Sequence, residues 1–339
     1  MKRAISNNVK ELVTLAIIIL VFIASGIAKP ELFSAERFPE VISSVLLWTP
    51  LILTVAVGMM MAIIVKGTDL SVGSMVALTA MITGILFRDF GCPLWLGIII
   101  SCATGILFGA FNGFFISYMS IPAIIVTLGT MNAYRGLTYI LSDGTQVTGY
   151  ELPEGMSNVV TNGLRIGNLL IPWLVIIAVA IAVLFFFVLK YSHFGREVYA
   201  VGSNYEAAYL RGINCKKTVF IIFTIIGLLC GITGMMSAAR YGYINPSNTG
   251  QGLEFVVISA TIIGGVSVSG GAGSVHGVFL GCLLLGTVNT MIAMIGIPGT
   301  VQKFVYGLII VIALLVDRVV QTTQEKKRIA EHARREEIK

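Results

Sequence analysis

Ten apolar runs, each about long enough to cross a bilayer, divide this chain of 339 residues. Roughly 17–25 apolar residues suffice to span the hydrocarbon, and the runs fall near 12–28, 43–65, 71–88, 94–118, 121–141, 169–190, 218–239, 254–268, 273–295 and 299–317. Water is absent from that layer, so each backbone N–H and C=O must find its partner inside the protein, which admits helices or closed barrels only. Runs of this length select helices. The expected fold is therefore all-α, a polytopic membrane helix bundle. Hydrophobic residues make up 56% of the chain and charged ones 12%, which is too apolar for a water-soluble domain of this size. The eighth run is short, and the turns at Ser120–Pro122 and Gly270–Ala272 have almost no length, which leaves room for a re-entrant pair. The start, Met1-Lys-Arg with an apolar run from Leu12 to Ala24, could imitate a secretory signal. Because further spans follow, an uncleaved first helix is the better reading.

Orientation follows from Lys and Arg, which accumulate in cytoplasmic segments. With the N-terminus inside, sixteen of the 23 basic residues fall on the inner side, including Lys66, Lys190, Arg196, Arg211, Lys216 and Lys217. Both termini and the polar segment 191–217 are thereby placed in the cytoplasm. Residues 1–320 read as one transmembrane domain and 321–339 as a charged cytoplasmic tail. The longest outer segment, Ser142–Asn168, reads as turns, either a plain connector or a contact for a delivery protein.

Several function classes drop out. The net charge of +6 is not organised as a basic stripe with interleaved aromatics, so no nucleic-acid partner is expected. The five cysteines are scattered singly and the three histidines lie far apart, which gives no metal set, and no nucleophile stands beside a base. Neither an enzyme nor a cofactor is expected. Gly264–Gly277 is glycine-rich but lacks the Gly-Lys-Ser/Thr of a phosphate-binding loop.

Small residues recur at helix-contact spacing: Gly105, Gly109 and Gly113; Gly227 and Gly231; Gly277 and Gly281. This spacing lets helix backbones approach closely in a membrane. Gly109-Ala-Phe-Asn112 with Ile121-Pro122, against Gly286-Thr-Val-Asn289 with Ile297-Pro298, suggests two five-span halves of inverted topology. Asn112, Thr127, Asn132 and Asn289 could line a solute pathway or bond between helices. Arg135, Glu254 and Lys303 sit near the outer ends of spans, where snorkelling or ion pairing would explain them.

The polar segment carries the functional signal. Ser203 and Glu206 have capping-box spacing, Ala207, Ala208 and Leu210 favour helix, and Gly212 is a natural stop. A helix of about two turns cannot stand alone in water, so it needs a partner surface. Gly202-Ser-Asn204, Glu206-Ala-Ala208 and Arg211-Gly212 resemble the loop by which membrane subunits of bacterial ABC importers dock on their ATPase. Two further stretches resemble the ribose-type monosaccharide permeases in particular. They are Asp69-Leu-Ser71-Val-Gly73-Ser, and Ile121-Pro-Ala-Ile-Ile-Val-Thr-Leu-Gly-Thr-Met131 with Arg135-Gly136, where Ile124 replaces the family's aromatic. In its plain role, Thr68 or Asp69 starts the next helix; the other reading is a sugar contact. The resemblance implies a permease subunit that forms the path for a monosaccharide. It further implies a second permease subunit, identical or not, a cytoplasmic ABC ATPase and a periplasmic sugar-binding protein. An ion-coupled carrier of a small polar solute is the alternative, and it would want a carboxylate deep in the bundle.

Overall fold

The computed structural model describes residues 2–298 except Asn168, together with positions 301, 304, 307, 308 and 311, and side chains from Glu11 onward. Apart from those positions, the tenth expected span at 299–317, Lys303 and the tail at 321–339 lie outside the described residues. The chain runs through α1 (Lys2–Ala28), α2 (Phe38–Ile64), α3 (Val72–Phe90), α4 (Leu94–Ser117), α5 (Ala123–Ser142) and α6 (Asn158–Thr161). A hairpin of β1 (Gly163–Ile166) and β2 (Leu169–Pro172) follows. Then come α7 (Trp173–Tyr191), α8 (His193–Ser203), α9 (Tyr205–Leu210), α10 (Cys215–Tyr241), α11 (Leu253–Ile263) and α12 (Val275–Ile295).

Among the described residues, seven helices are long and apolar enough to cross a membrane: α1, α2, α3, α4, α7, α10 and α12. Two of the expected spans differ. α5 has 20 residues but carries Asn132, Arg135 and several hydroxyls, and α11 has only 11 residues. Residues 264–268, expected as helix, form turns after α11. α2 is the hub, buried over 89% of its apolar stretch, whereas α4 and α7 are buried over 22% and 28% and turn Leu, Ile and Phe outward. A helix that is apolar all round and buried belongs at the centre of such a bundle. α4 and α7 expose apolar side chains as a lipid-facing surface does.

Where lipid is as apolar as leucine, close packing has to hold helices together. α4 and α10 run antiparallel with Gly105 and Gly109 set against Gly227, so near that a Cβ on any of them would strike the opposing backbone. α11 and α12 meet in the same manner, through Ala260 and Gly264 against Gly281 and Gly277. The expected small-residue seams are therefore real, and each has a defined partner.

Exchanging α2, α3, α4 for α10, α11, α12 maps neighbours onto neighbours: α4–α10 onto α12–α2, α3–α10 onto α11–α2, and α3–α4 onto α11–α12. In both sets a 27-residue helix is followed by a non-helical linker and a further helix. α1 packs chiefly on α12 and α7 on α2, which this exchange does not produce. The repeat among described elements thus comprises α2–α4 and α10–α12; the last span of the five-plus-five expectation lies outside the described residues.

The stretch from 142 to 172 is not plain turn. Thr148 and Glu151 cap a 3-10 turn, Val147 pairs with Ile244, and Met156 is buried with Val147 and Ile244 over the ends of α3 and α10. This end of the bundle is called the hairpin end below, and the opposite one the α8–α9 end.

Candidate functional site

At the α8–α9 end the polar segment forms two helices where one was expected. Ser192 caps α8 by accepting from the Gly195 N–H at 3.0 Å, and Glu197 pairs with His193 at 3.1 Å. Val198 and Val201 are buried while the opposite face is open, so α8 lies against the bundle as an amphipathic bar. Its seat is backbone. Gly202 meets the Ile64 carbonyl at the end of α2 and the Gly271 N–H before α12, leaving no room for a side chain. Gly271 in turn donates to the Ile64 carbonyl at 2.9 Å, and the Tyr199 hydroxyl donates to Gly273 at 3.0 Å. Burial pushes the Tyr199 phenol up from its ordinary range, so it stays a donor.

The expected capping box does not form. Asn204 is the cap of α9, its Oδ1 accepting from the Ala207 N–H at 3.0 Å, while Ser203 ends α8 and donates to the Tyr199 carbonyl at 2.8 Å. Both residues have capping chemistry, and the intervening end of α8 decides between them. Glu206 is solvent-exposed in the first turn, where a carboxylate suits the helix dipole. Ala208 is the buried anchor, packed with Val201 and Cys215. Tyr205, Ala207, Tyr209, Leu210 and Arg211 face outward, with Leu210 84% exposed. Gly212 closes α9 at φ +83°, a conformation that side chains disfavour.

Five of the candidate pathway residues gather around the linker between α2 and α3. Asp69 Oδ1 accepts from the Ser71 N–H at 2.8 Å and from its hydroxyl at 2.6 Å. Asn112 donates to Ser71 Oγ at 2.8 Å, and its own oxygen accepts from Tyr134 at 3.3 Å. Thr127 donates to the Thr68 carbonyl at 3.3 Å. Gly73 abuts Gly250 and the Glu254 carboxylate. Asp69 is wholly buried and its Oδ2 has no partner among the described residues. It turns the chain into α3 from two residues before the cap position, Ser71, rather than capping the helix directly. Asn132 and Asn289 stand apart: Asn132 is exposed and bonds back to Leu128, and Asn289 is buried within α12.

Of the two accounts expected for Glu254 and Arg135, snorkelling and ion pairing, the structure favours the second, the two charges attracting one another. Glu254 is buried at the start of α11, with its carboxylate against Gly73. Arg135 is half-buried on α5 and donates to the carbonyls of Pro246 and Thr249 at 3.0 and 2.8 Å, pinning the linker before α11. Neither snorkels.

A cavity of about 390 Å³ opens between α2, α3, α10 and α11 toward the hairpin end. Trp48, Thr233, Ser237, Tyr241, Tyr243 and Gln251 contribute its polar and aromatic lining. The sequence reading missed these residues. Thr233 and Ser237 sit singly among apolar and small neighbours, and Gln251 lies in a polar linker that reads as plain turn.

Residues 41–314 match the family described as "Branched-chain amino acid transport system / permease component". The chain is 30% identical over 317 residues to the autoinducer 2 import system permease protein LsrC of Escherichia coli (strain K12 / DH10B), covering 94% of this chain and 89% of that one. It is 30% identical over 326 residues to LsrC of Photorhabdus laumondii, covering 96% and 94%. No solved structure matches the chain. Since the match begins inside α2 and runs past α12, taking in both linkers and the whole α8–α9 segment, the chain belongs to this family of transport-system permeases, as a membrane component and not an enzyme.

Proposed function

We propose that the chain is the permease subunit of an ATP-driven ABC importer of the bacterial inner membrane, carrying a monosaccharide or related small polyol. It works in a pair with a second permease subunit, identical or not. A separate ATPase docks at the α8–α9 end on the cytoplasmic side, and a periplasmic binding protein delivers solute at the hairpin end. The observation that carries this reading is α9 itself, a six-residue helix showing Tyr205, Tyr209 and Leu210 to the outside while α8 locks its base to the bundle backbone. Such an apolar tip beyond the lipid-facing helices fits a protein partner. The relatives are named as permeases of an import system, which agrees with inward transport.

Ala207→Glu puts bulk and charge on the docking face, and Gly212→Pro forces φ to about −65° where the chain needs the left-handed region. Both variants are expected to insert normally and to lose solute-stimulated ATPase activity in the assembled complex. Full uptake by both would show that α9 is not the docking site.

Two buried carboxylates, Asp69 and Glu254, are what an ion-coupled carrier would use. Asp69 Oδ1 is engaged by Ser71, and the Glu254 carboxylate is packed against Gly73. Reconstituted alone, the chain is expected to move no sugar down a proton or sodium gradient, whereas with ATPase and binding protein uptake follows ATP. Gradient-driven accumulation by the chain alone would establish the ion-coupled alternative.

A further inference from the structure

At the α8–α9 end a second cleft, of about 480 Å³, lies between the end of α7, the side of α8 and the start of α12. Its lining includes Phe186 and Lys190 of α7, Arg196 and Tyr199 of α8, and Ser274 and His276 where α12 begins.

Two cations line this space, and no Asp or Glu is among the described lining residues. Lys190 Nζ stands 5.1 Å from the Phe186 ring centre and 5.2 Å from that of Tyr191, and it forms no ion pair among the described residues. Arg196 donates one N–H to the Tyr191 carbonyl at 3.2 Å, which leaves most of the guanidinium's donors for another partner. His276 packs edge-on against Phe186 with ring centres 4.7 Å apart, and its ring nitrogens bond to no described residue. The carboxylates nearest in the fold are already engaged. Glu197 is held by His193 and Thr218, and Glu11 accepts from the Ser274 hydroxyl at 3.2 Å without lining the cleft. The first N–H groups of α12 have no partner within the helix, and the positive end of its dipole adds to the same field. The chemistry called for is an anion with several acceptor oxygens, as a phosphate has.

One wall of the cleft is apolar and leads into the membrane. Val183 and Phe187 are exposed on the face of α7 that carries Lys190, spaced four and three residues apart. A lysine that ends a lipid-facing helix lies at headgroup depth. A soluble anion would use the charges and leave this wall untouched, whereas a lipid uses both. Basic pockets between membrane helices are known hosts for anionic headgroups.

We infer that this cleft binds the headgroup of an anionic phospholipid, with Lys190 and Arg196 on the phosphate, His276 as a further donor, and acyl chains along Val183 and Phe187. The lipid ties α7, α8 and the start of α12 together beneath the helix proposed to meet the ATPase. The inference goes beyond the importer reading, since it requires only that α7 face lipid.

Lys190 can report its own occupancy. The full chain is purified in a non-ionic detergent, and acylation of its lysine amines is followed by peptide mass spectrometry, with the exposed Lys217 as internal reference. Phosphatidylglycerol should slow acylation of Lys190 saturably and leave Lys217 nearly unchanged. Phosphatidylcholine with the same acyl chains should need at least about five times the mole fraction, and inorganic phosphate should give no protection. Arg196→Gln should raise the half-saturating phosphatidylglycerol about fivefold, the effect of one basic residue at a membrane surface. Lys216→Gln, which removes the same charge elsewhere at this end, should leave it unchanged. Equal protection by phosphatidylcholine, or protection by inorganic phosphate, would overturn the anionic-lipid site. So would a Lys190 rate that falls no more than that of Lys217, a result that the unaltered chain alone can give, or an Arg196→Gln variant that behaves as Lys216→Gln does.

Discussion

Asp69 is held by one residue through one of its oxygens, and this makes its role testable. Asp69→Ala removes the acceptor for both the Ser71 amide and hydroxyl, and should lower thermal stability in detergent by about 1–3 kcal/mol. Asp69→Asn keeps an oxygen at the Oδ1 position and should lose less. Equal losses would show that the charge, not the two bonds, matters. At the hairpin end the Thr148 amide and hydroxyl hold the Glu151 carboxyl below its ordinary value of 4.5. A group whose pKa is lowered on folding stabilises the fold above its unfolded value, and that contribution disappears as pH falls through the folded value. The Thr148 amide should thus show full hydrogen-exchange protection above pH 4.5 and lose it progressively below. Protection unchanged across that range would remove Glu151 from the cap. Capping chemistry of this sort was legible in the sequence, but the choice between adjacent candidates was not. Ser203 and Asn204 can both accept a backbone N–H, and only the end of α8 excludes Ser203.

Helices were legible where length and apolarity coincide, as in α2, α4, α7 and α10. The end of α11 was not, since Gly264 through Val268 continues the apolar run and reads as span, although Gly265, at positive φ, turns the chain. α8 escaped notice because its pattern is amphipathic and short, which resembles a loop until it has a surface to lie on. The α4–α10 seam gives a sharp test. Gly227→Val sets a side chain against the Gly105 carbonyl and Gly109 backbone and should prevent recovery of a monodisperse folded chain. Gly136→Ala in α5, with open space around its Cα, should fold normally and gain up to about 1 kcal/mol of helix propensity. Comparable behaviour of the two variants would mean that the seam does not hold the bundle.

For the molecule as a whole, the proposed sidedness rests on Lys and Arg, and single cysteines can test it. In a background without the native five, labels at Tyr205 on α9 and at Tyr150, 87% exposed at the hairpin end, should react from opposite sides of the membrane. Reaction of both from the periplasm would contradict the importer reading. Repeat symmetry was visible in the sequence only as two short motifs. Its extent needed the packing, because the equivalence of α2–α4 with α10–α12 lies in which helices touch and not in residue identity.

The seat of α8 has a consequence for the working cycle. Ile64 closes the first helix of one repeat, Gly271 lies between the last two helices of the other, and Gly202 rests on both. Force applied to α8 therefore enters at a keystone: it cannot push one half of the arch without loading the other. The hydrogen bond from Gly271 to Ile64 crosses that joint. If nucleotide turnover drives the halves apart, this one amide should exchange faster in the ATP-bound complex than at rest, while amides along the α4–α10 seam remain unchanged.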